Sequence, residues 1–243
     1  MSRRFLFQHA VHALSGLTLA LCASACGNSF LSDDDPPETA VNANLPAEGP
    51  EQMSFFVTST THLTGNLGGL EGADEECQDL AEAAGNTAYT WQAYLGAEND
   101  GDPIHPGSRI GNGPWKNFNG VTIAGNVSIL HVRPGDADLF LDESGEMING
   151  QWTDSPGPVE HDILTGANLN GTVAMTFTCG DWTSDSADLR PRVGHTDGFG
   201  RDQDVTPPRN SWNAAHEGAN CGDFPATGGA GRFYCFAIDE MPE

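Results

Sequence analysis

The chain has 243 residues, and its 34 acidic side chains outnumber its 10 basic ones to give a formal charge of −24. A surface this acidic repels phosphate and sulfate groups, so nucleic acid and heparin-like polyanions are disfavoured as partners. Hydrophobic residues make up 38% of the chain, which is enough for one packed core, while 30 glycines and 15 prolines argue against a helical bundle.

The first residues have the composition of an export signal. A basic start precedes an apolar stretch at 10–21, and small residues then lead to Cys26. This order predicts a secretory signal over residues 1–25, because the apolar stretch is too short to span a membrane. The small residues before Cys26 are similar to a bacterial lipobox, which predicts a lipid on Cys26 and a place in the cell envelope, at the outer membrane. Acylation at Cys22 and ordinary cleavage without a lipid are the alternatives.

Residues 26–52 are acidic, rich in proline and without apolar periodicity. Such a segment cannot bury enough surface to fold, so it predicts a disordered tether that holds a domain away from the membrane. A plain disordered N-terminus would have the same composition. No second linker or internal repeat follows, so one domain is predicted over residues 53–241.

The predicted elements of this domain are short, apart from one helix. Apolar residues at helical spacing place Cys77 on the buried face of a helix at 73–84. In chain order, the sequence predicts a strand at 54–58, this helix, a strand at 89–95, a short helix or strand at 123–130, two short strands at 139–141 and 146–148, a β-rich segment at 172–179, a loop at 180–211 and a strand at 232–238. One helix among many strands and long loops predicts an α+β domain.

Four cysteines lie beyond the signal, at Cys77, Cys179, Cys221 and Cys235. An even number of cysteines in an exported protein predicts two disulfides, for which the sequence allows three pairings. The spacing of the cysteines matches no zinc-binding pattern, because there is no Cys-x-x-Cys and no nearby pair of histidines.

Six short motifs follow one another along the domain: FVTSTT at 56–61, GADxxC at 72–77, QAYL at 92–95, RIGxGPW at 109–115, CGDWT at 179–183 and RFYCF at 232–236. They resemble a bacterial family of exported proteins of unknown function, which is similar to endostatin, the collagen-derived domain with a C-type-lectin-like fold. The resemblance covers residues 54–239. It implies a C-type-lectin-like (endostatin-like) domain in which Cys77 pairs with Cys235 and Cys179 pairs with Cys221.

The resemblance does not extend to the calcium site of sugar-binding C-type lectins. Those lectins use a Glu-Pro-Asn or Gln-Pro-Asp triplet and a Trp-Asn-Asp triplet, and the nearest match here, Trp212-Asn213-Ala214, lacks the aspartate carboxylate. Calcium takes about six to eight oxygen ligands, so the missing carboxylate argues against calcium-dependent sugar binding by that route. Endostatin binds heparin through surface arginines, which are few in this acidic chain.

Aspartates in the 180–211 loop form a first candidate site. Clustered carboxylates could bind a hard cation such as calcium, but no Asp-x-Asp-x-Asp-Gly order occurs, so a solvated acidic loop is the preferred interpretation. The aspartates are Asp181, Asp185, Asp188, Asp197, Asp202 and Asp204.

A second candidate site consists of His195, Asp197, His216 and Glu217, which could bind zinc or act in acid–base chemistry. No second histidine follows at the step that a helical metalloprotease requires, so scattered polar loop residues are the preferred interpretation.

Loop tryptophans could stack against a ligand, and Trp152 is one candidate, whereas Trp91 and Trp182 lie in or beside strands and are predicted core residues. The residues predicted to bind a ligand are Trp115, Trp212, Asp197, Asp202 and Asp204.

Together these features predict a lipid-tethered module, displayed on the cell surface, that binds an extracellular carbohydrate or protein. The sequence contains no nucleophile elbow or phosphate loop, so the module is predicted to be no enzyme and to need no cofactor. A metal-dependent hydrolase that uses the His/Asp loop, and a structural envelope protein without a small ligand, are the alternatives.

Overall fold

The computed structural model of this protein describes residues 49–225 and 228–240, without the side chains of 239 and 240. The predicted signal at 1–25, the predicted lipid on Cys26 and the predicted tether up to residue 48 lie outside the described residues. The described residues all belong to one compact unit. A short 3-10 helix, Pro50–Gln52, precedes the first strand, and the Pro50 carbonyl accepts a hydrogen bond from Asn86.

The longest strand organises the main sheet. In chain order the regular elements are β1 (Phe55–Val57), α1 (Gly69–Ala83), β2 (Tyr89–Ala93), β3 (Trp115–Lys116), β4 (Thr122–Ala124), α2 (Val127–Val132), β5 (Asp162–Leu164), the four-residue helix α3 (Cys179–Trp182), β6 (Arg192–His195), β7 (His216–Glu217) and β8 (Gly229–Glu240), besides short 3-10 helices. β1 and β2 pair antiparallel with β8, and β5 pairs parallel with it. β6 and then β7 extend the sheet beyond β5 with antiparallel pairing, while β3 and β4 form a separate pair.

Alternate side chains of β8 serve two different parts of the core. Phe233 and Cys235 belong to one buried cluster, which includes α1 and the predicted core residues Trp91 and Trp182. Tyr234 and Phe236 belong to another, whose large members are Phe55, Tyr94, Trp115, Phe140 and Trp212. Because successive side chains of a strand point to opposite faces, the apolar run of β8 implies that both of its faces are covered.

Helix α1 begins at Gly69, four residues before the predicted start at 73. Gly68 precedes it in the left-handed region, with a φ of 79°, which glycine adopts without steric cost. Ala73, Cys77 and Ala81 are its buried residues, as the apolar spacing predicts.

Two disulfides link distant parts of the described chain. Cys77 of α1 bonds to Cys235 of β8, and Cys179 bonds to Cys221, which is the pairing that the family resemblance implies. The domain is therefore a mixed α+β fold with few helices and short strands, fastened by two disulfides that are typical of exported proteins. Within the described residues, the helices are too short or too polar to cross a membrane.

Several predicted segments differ from the observed ones. The 172–179 segment contains isolated bridges instead of a strand, because Thr176 has a φ of 68° and interrupts the extended backbone. The predicted strands at 139–141 and 146–148 reduce to a single bridge between Leu141 and Met147. Residues 123–130, predicted to form a short helix or a strand, contain some of each: the end of β4 and most of α2. The Asn126 side chain caps the helix.

The 180–211 segment is not a continuous loop, because it contains β6. Gly194 weakens the strand pattern in the sequence, because glycine is unfavourable inside strands. A side chain at 194 would place a Cβ atom 1.7 Å from the Trp212 carbonyl oxygen, so glycine is required for this close approach. β5, which the sequence also fails to predict, pairs with β6, and the functional candidates lie on β5, β6 and the next strand of the sheet, β7.

Candidate metal centre

Three imidazoles surround one carboxylate oxygen at the end of the β5–β6–β7 part of the sheet. Asp162 Oδ1 lies 3.2 Å from Nε2 of His195, 3.3 Å from Nε2 of His216 and 3.6 Å from Nε2 of His161. These four residues are called the His–Asp centre below. His161, Asp162 and His195 are buried, whereas 26% of the His216 side chain is exposed. The centre thus lies just beneath the surface, with His216 nearest to solvent.

Strand register explains why these residues meet. Asp162 of β5 pairs directly with His195 of β6, and His216 of β7 pairs with Val193, two residues before His195. Paired residues share a face of the sheet, and so do residues two apart along a strand. His161 precedes β5, and its ring stacks on that of His195 with centroids 4.3 Å apart.

Each imidazole is oriented by a hydrogen bond from its other nitrogen, Nδ1. These bonds run from His195 to the Arg209 carbonyl oxygen at 2.6 Å, from His216 to the Glu217 carbonyl oxygen at 2.8 Å, and from His161 to Asp197 Oδ1 at 2.8 Å. Carbonyl and carboxylate oxygens accept hydrogen bonds, so the donor is Nδ1 in every case. In the neutral ring this leaves a lone pair on each Nε2.

While all three imidazoles are neutral, the converging atoms of the centre cannot satisfy one another. Three nitrogen lone pairs face an oxygen that carries lone pairs of its own, and such atoms repel unless a positive charge lies among them. His195 makes the problem explicit, because its buried Nε2 has no hydrogen-bond partner although Asp162 is only 3.2 Å away. The centre needs a cation, either protons on the imidazoles or a metal ion.

Electrostatics agree with this need. Burial raises the pKa of the Asp162 carboxyl, but the adjacent His195 and His216 outweigh burial and bring that pKa to about 2. Burial lowers the pKa of His216, but Asp162 outweighs burial and holds that pKa above its ordinary value. Asp162 is consequently an anion at neutral pH, in a position to attract positive charge.

The geometry fits a divalent transition metal. Zinc binds histidine nitrogen and aspartate oxygen at about 2.0–2.2 Å, so neighbouring donors of a tetrahedral zinc ion lie roughly 3.3 Å apart. The distances of 3.2 to 3.6 Å from Asp162 Oδ1 are close to that spacing. Moreover, the donor atoms of His161, Asp162 and His195 all lie within 4.8 Å of one another, whereas His216 falls outside this group. Calcium prefers a set made of oxygen ligands, which this centre does not offer.

The structure brings together three of the four residues proposed from the sequence as a zinc or acid–base site. His195 and His216 belong to the centre, and Asp197 contacts it through His161. Glu217 does not, because its carboxylate faces Arg190 and Arg192 at 3.8 Å on the exposed side of β7.

Sequence reasoning missed His161 and Asp162. The available signal was the short stretch from His161 to Leu164, in which two polar residues precede two apolar ones at the length of a short buried strand. Nothing in the sequence gives the register that places this stretch beside His195.

The predicted ligand-binding tryptophans lie in the core instead. Trp115 and Trp212 are 1% and 0% exposed, and their indole nitrogens donate to the carbonyl oxygens of Ile110 and Leu130. Neither ring therefore presents a face to a ligand. Their position in loops suggested exposure, but these loops pack inward.

The loop aspartates do not gather into a calcium site. Asp202 and Asp204 are exposed, and Asp204 accepts hydrogen bonds from Thr206, while Asp181 accepts backbone hydrogen bonds from Glu98 and Asn99. Among the described residues, the potential metal-binding group contains none of the loop aspartates. Asp197 differs from these aspartates because it is buried beside His161, next to the His–Asp centre.

The chain matches no model of a known protein family, and no curated protein matches it. A fold does not by itself fix a function, so the function has to be argued from the chemistry of the centre.

Proposed function

We propose that this protein is an exported domain that binds a divalent transition-metal ion, of which zinc is the reference, in the His–Asp centre. One observation carries the proposal: the Nε2 atoms of His161, His195 and His216 converge on Asp162 Oδ1 while each Nδ1 is held by a separate acceptor. Second acceptors of this kind are the usual surroundings of histidines that bind metals, because they fix the tautomer that leaves Nε2 free.

The number of protein ligands bears on the choice between metal binding and catalysis. Structural zinc sites are filled by four protein ligands, whereas catalytic sites keep one position for water or substrate. The donor atoms of His161, Asp162 and His195 lie within 4.8 Å of one another, so the ion would have three protein ligands and would join β5 to β6. Three protein ligands are also the number that catalytic zinc sites use, so the donor count does not separate a binding role from the hydrolase alternative.

The binding-module hypothesis has separate support from a cleft beside the centre. This cleft has a volume of about 400 Å³, and its walls include Trp152, Phe199 and Asp197. The Trp152 indole donates to the Ile148 carbonyl at 3.0 Å, which fixes a half-buried ring that could stack on a sugar. An extracellular carbohydrate therefore remains the second candidate ligand, and loss of a glycan-array signal on Trp152→Ala would support it.

The broader setting is also part of the proposal. The six sequence motifs support a C-type-lectin-like (endostatin-like) fold, and the residues before Cys26 support a lipoprotein tethered at the outer membrane. Mass spectrometry of the mature N-terminus tests the anchor: an acylated cysteine supports it, and a free Ala or Cys terminus contradicts it.

Metal binding is tested by titrating chelator-treated protein with Zn²⁺, and with Co²⁺ as a spectroscopic probe. We expect one ion per chain, with the strong visible absorption of tetrahedral Co²⁺. His195→Ala should weaken binding by more than the roughly 100-fold that loss of an outer partner costs. The matched control is His62→Ala, because His62 pairs with Glu76 away from the centre. If the wild type binds no stoichiometric ion, or if both variants bind alike, the proposal is wrong.

A further inference from the structure

Asp197 is a buried carboxylate that contacts the His–Asp centre from outside. Its Oδ1 accepts hydrogen bonds from His161 Nδ1 at 2.8 Å and from the Phe199 amide at 3.0 Å, and its Oδ2 accepts one from the Gln151 amide at 2.6 Å. The side chain is 0% exposed. The surroundings are close-packed, since a Cβ atom at Gly150 would lie 2.2 Å from Oδ2.

We propose that Asp197 is a positioning residue for the metal ion: it keeps the hydrogen of His161 on Nδ1, leaves Nε2 free to bind, and links the ion to the segment around Gln151. The inference rests on the proposed metal site. It adds a fifth residue, which binds no metal itself but determines whether His161 can.

Only a carboxylate satisfies all the donors that surround this position. Both oxygens of Asp197 accept hydrogen bonds, whereas an asparagine has one oxygen and an NH₂ group that donates. In Asp197→Asn, the NH₂ group therefore faces either the Gln151 amide or, at the position of Oδ1, both His161 Nδ1 and the Phe199 amide. Facing His161, it favours the tautomer with the hydrogen on Nε2, and that hydrogen occupies the position where the metal would bind.

The second oxygen of Asp197 gives the proposal a measurable consequence away from the centre. Gln151 is followed by Trp152, which forms part of the wall of the cleft that also includes Asp197. An ion bound to His161 strengthens the hydrogen bond from His161 to Asp197 and so holds the carboxylate that accepts from Gln151. We therefore expect Zn²⁺ to slow hydrogen exchange at the Gln151 amide.

The test compares Asp197→Asn with Asp138→Asn. Asp138 is exposed and lines the same cleft, so its substitution removes the same charge without touching a histidine of the centre. We expect Asp197→Asn to weaken Zn²⁺ binding by about 10- to 100-fold, as for other outer-shell partners, and Asp138→Asn to leave it within about twofold. In the metal-free variant, ¹⁵N NMR should show a population of His161 with its hydrogen on Nε2, which the wild type and Asp138→Asn lack.

Failure of this inference is distinguishable from failure of the metal site. If the wild type binds Zn²⁺ and Asp197→Asn binds it equally well, Asp197 is not a positioning residue although the site stands. The inference also fails if Asp197→Asn lowers the melting temperature without changing either the affinity or the His161 tautomer. If the wild type binds no ion, both proposals are overturned.

Discussion

His131 with its hydrogen-bond partners and the histidines of the His–Asp centre are two histidine groups that satisfy their ring nitrogens in opposite ways. His131 has a partner on each ring nitrogen: Nδ1 donates to the Val127 carbonyl at 2.9 Å, and Nε2 lies 2.7 Å from the Tyr94 hydroxyl. Asn213 in turn donates to that hydroxyl at 3.0 Å. In the His–Asp centre, every Nδ1 has a partner, but the Nε2 atoms share a single oxygen.

The difference separates a structural histidine from a functional one. Buried polar groups in folded proteins are normally hydrogen-bonded, and the network around His131 follows that rule. The centre breaks it in one place, at His195 Nε2, and there the missing partner coincides with two other nitrogens and an anion. Burial alone does not mark a site, whereas a buried nitrogen without a partner, close to other possible metal ligands, does.

Removing a disulfide should destabilise the protein more than any other change, and the two disulfides should differ in which histidine group they support. Cys77→Ala with Cys235→Ala opens a cross-link between residues 158 apart, worth about 5 kcal/mol in the chain-entropy model. It also detaches α1 from β8, so we expect the domain to unfold near 37 °C and both histidine groups to be lost. Thermal melts measure this outcome.

The matched comparison is Cys179→Ala with Cys221→Ala, a cross-link between residues 42 apart worth about 4 kcal/mol. His195 and His216 lie within the segment that it closes, whereas Tyr94 and His131 lie outside. We expect a folded domain that is cut more readily by protease within 180–211 and binds Zn²⁺ more weakly. Both disulfides are fully buried, so alanine is used to avoid burying a hydroxyl. Equal losses of melting temperature in the two double variants would contradict this prediction.

A metal ion should stabilise only the protein that has an intact centre. With free Zn²⁺ at 100 times the dissociation constant, stabilisation is about 2.7 kcal/mol, or roughly 5–10 °C in melting temperature for a domain of this size. We expect His195→Ala to lose this increase. His131→Ala should melt at a lower temperature but retain the increase, because His131 is not part of the centre. A zinc-dependent increase in His195→Ala would show that the ion binds elsewhere.

Tyr94→Phe should destabilise the protein by about 1–3 kcal/mol, because it leaves His131 Nε2 and one donor of Asn213 without the hydroxyl. Tyr89→Phe is the control, since Tyr89 is half-buried and the change is expected to cost less than about 0.5 kcal/mol. Urea unfolding measures both. Zinc affinity should be the same in the two variants, and a large loss in Tyr94→Phe would mean that the two histidine groups are coupled.

The elements that the sequence predicts well are those with long patterns. Helix α1 has its apolar residues at helical spacing, and β8 has an apolar run long enough to contact three other strands. β5 and β6 contain three and four residues, which is too short for a pattern, and Gly194 weakens the second of them further. The α+β class could thus be predicted, but not the part of the sheet that carries the centre.

The site itself could be predicted only in part, because its assembly depends on register. His195, Asp197 and His216 are visible as a group of polar residues, but they become a site only when β5 brings Asp162 opposite His195. The aromatic residues illustrate the converse error. Trp115 and Trp212 occupy loops, yet their indole nitrogens find backbone acceptors inside the core, and loop position therefore does not imply exposure.

The smallest predicted effect is a pH dependence of the free energy of unfolding that comes from His131 alone. Burial lowers the pKa of His131 below its ordinary value of 6.5, so the unfolded chain takes up a proton at His131 more readily than the folded one. Stability from neutral His131 is full above the unfolded pKa and declines as the pH falls below about 6.5. Measured by urea unfolding in chelator between pH 7.5 and 5.5, the wild type should lose more stability than His131→Gln, which does not titrate. Because both proteins keep His161, His195 and His216, subtracting one stability curve from the other removes the contribution of the centre.

The two stability curves could instead run parallel, or the wild type could lose less stability than His131→Gln at low pH. Either result would mean that the folded protein accepts a proton on His131 without cost, and that the partners of its two ring nitrogens do not hold it neutral.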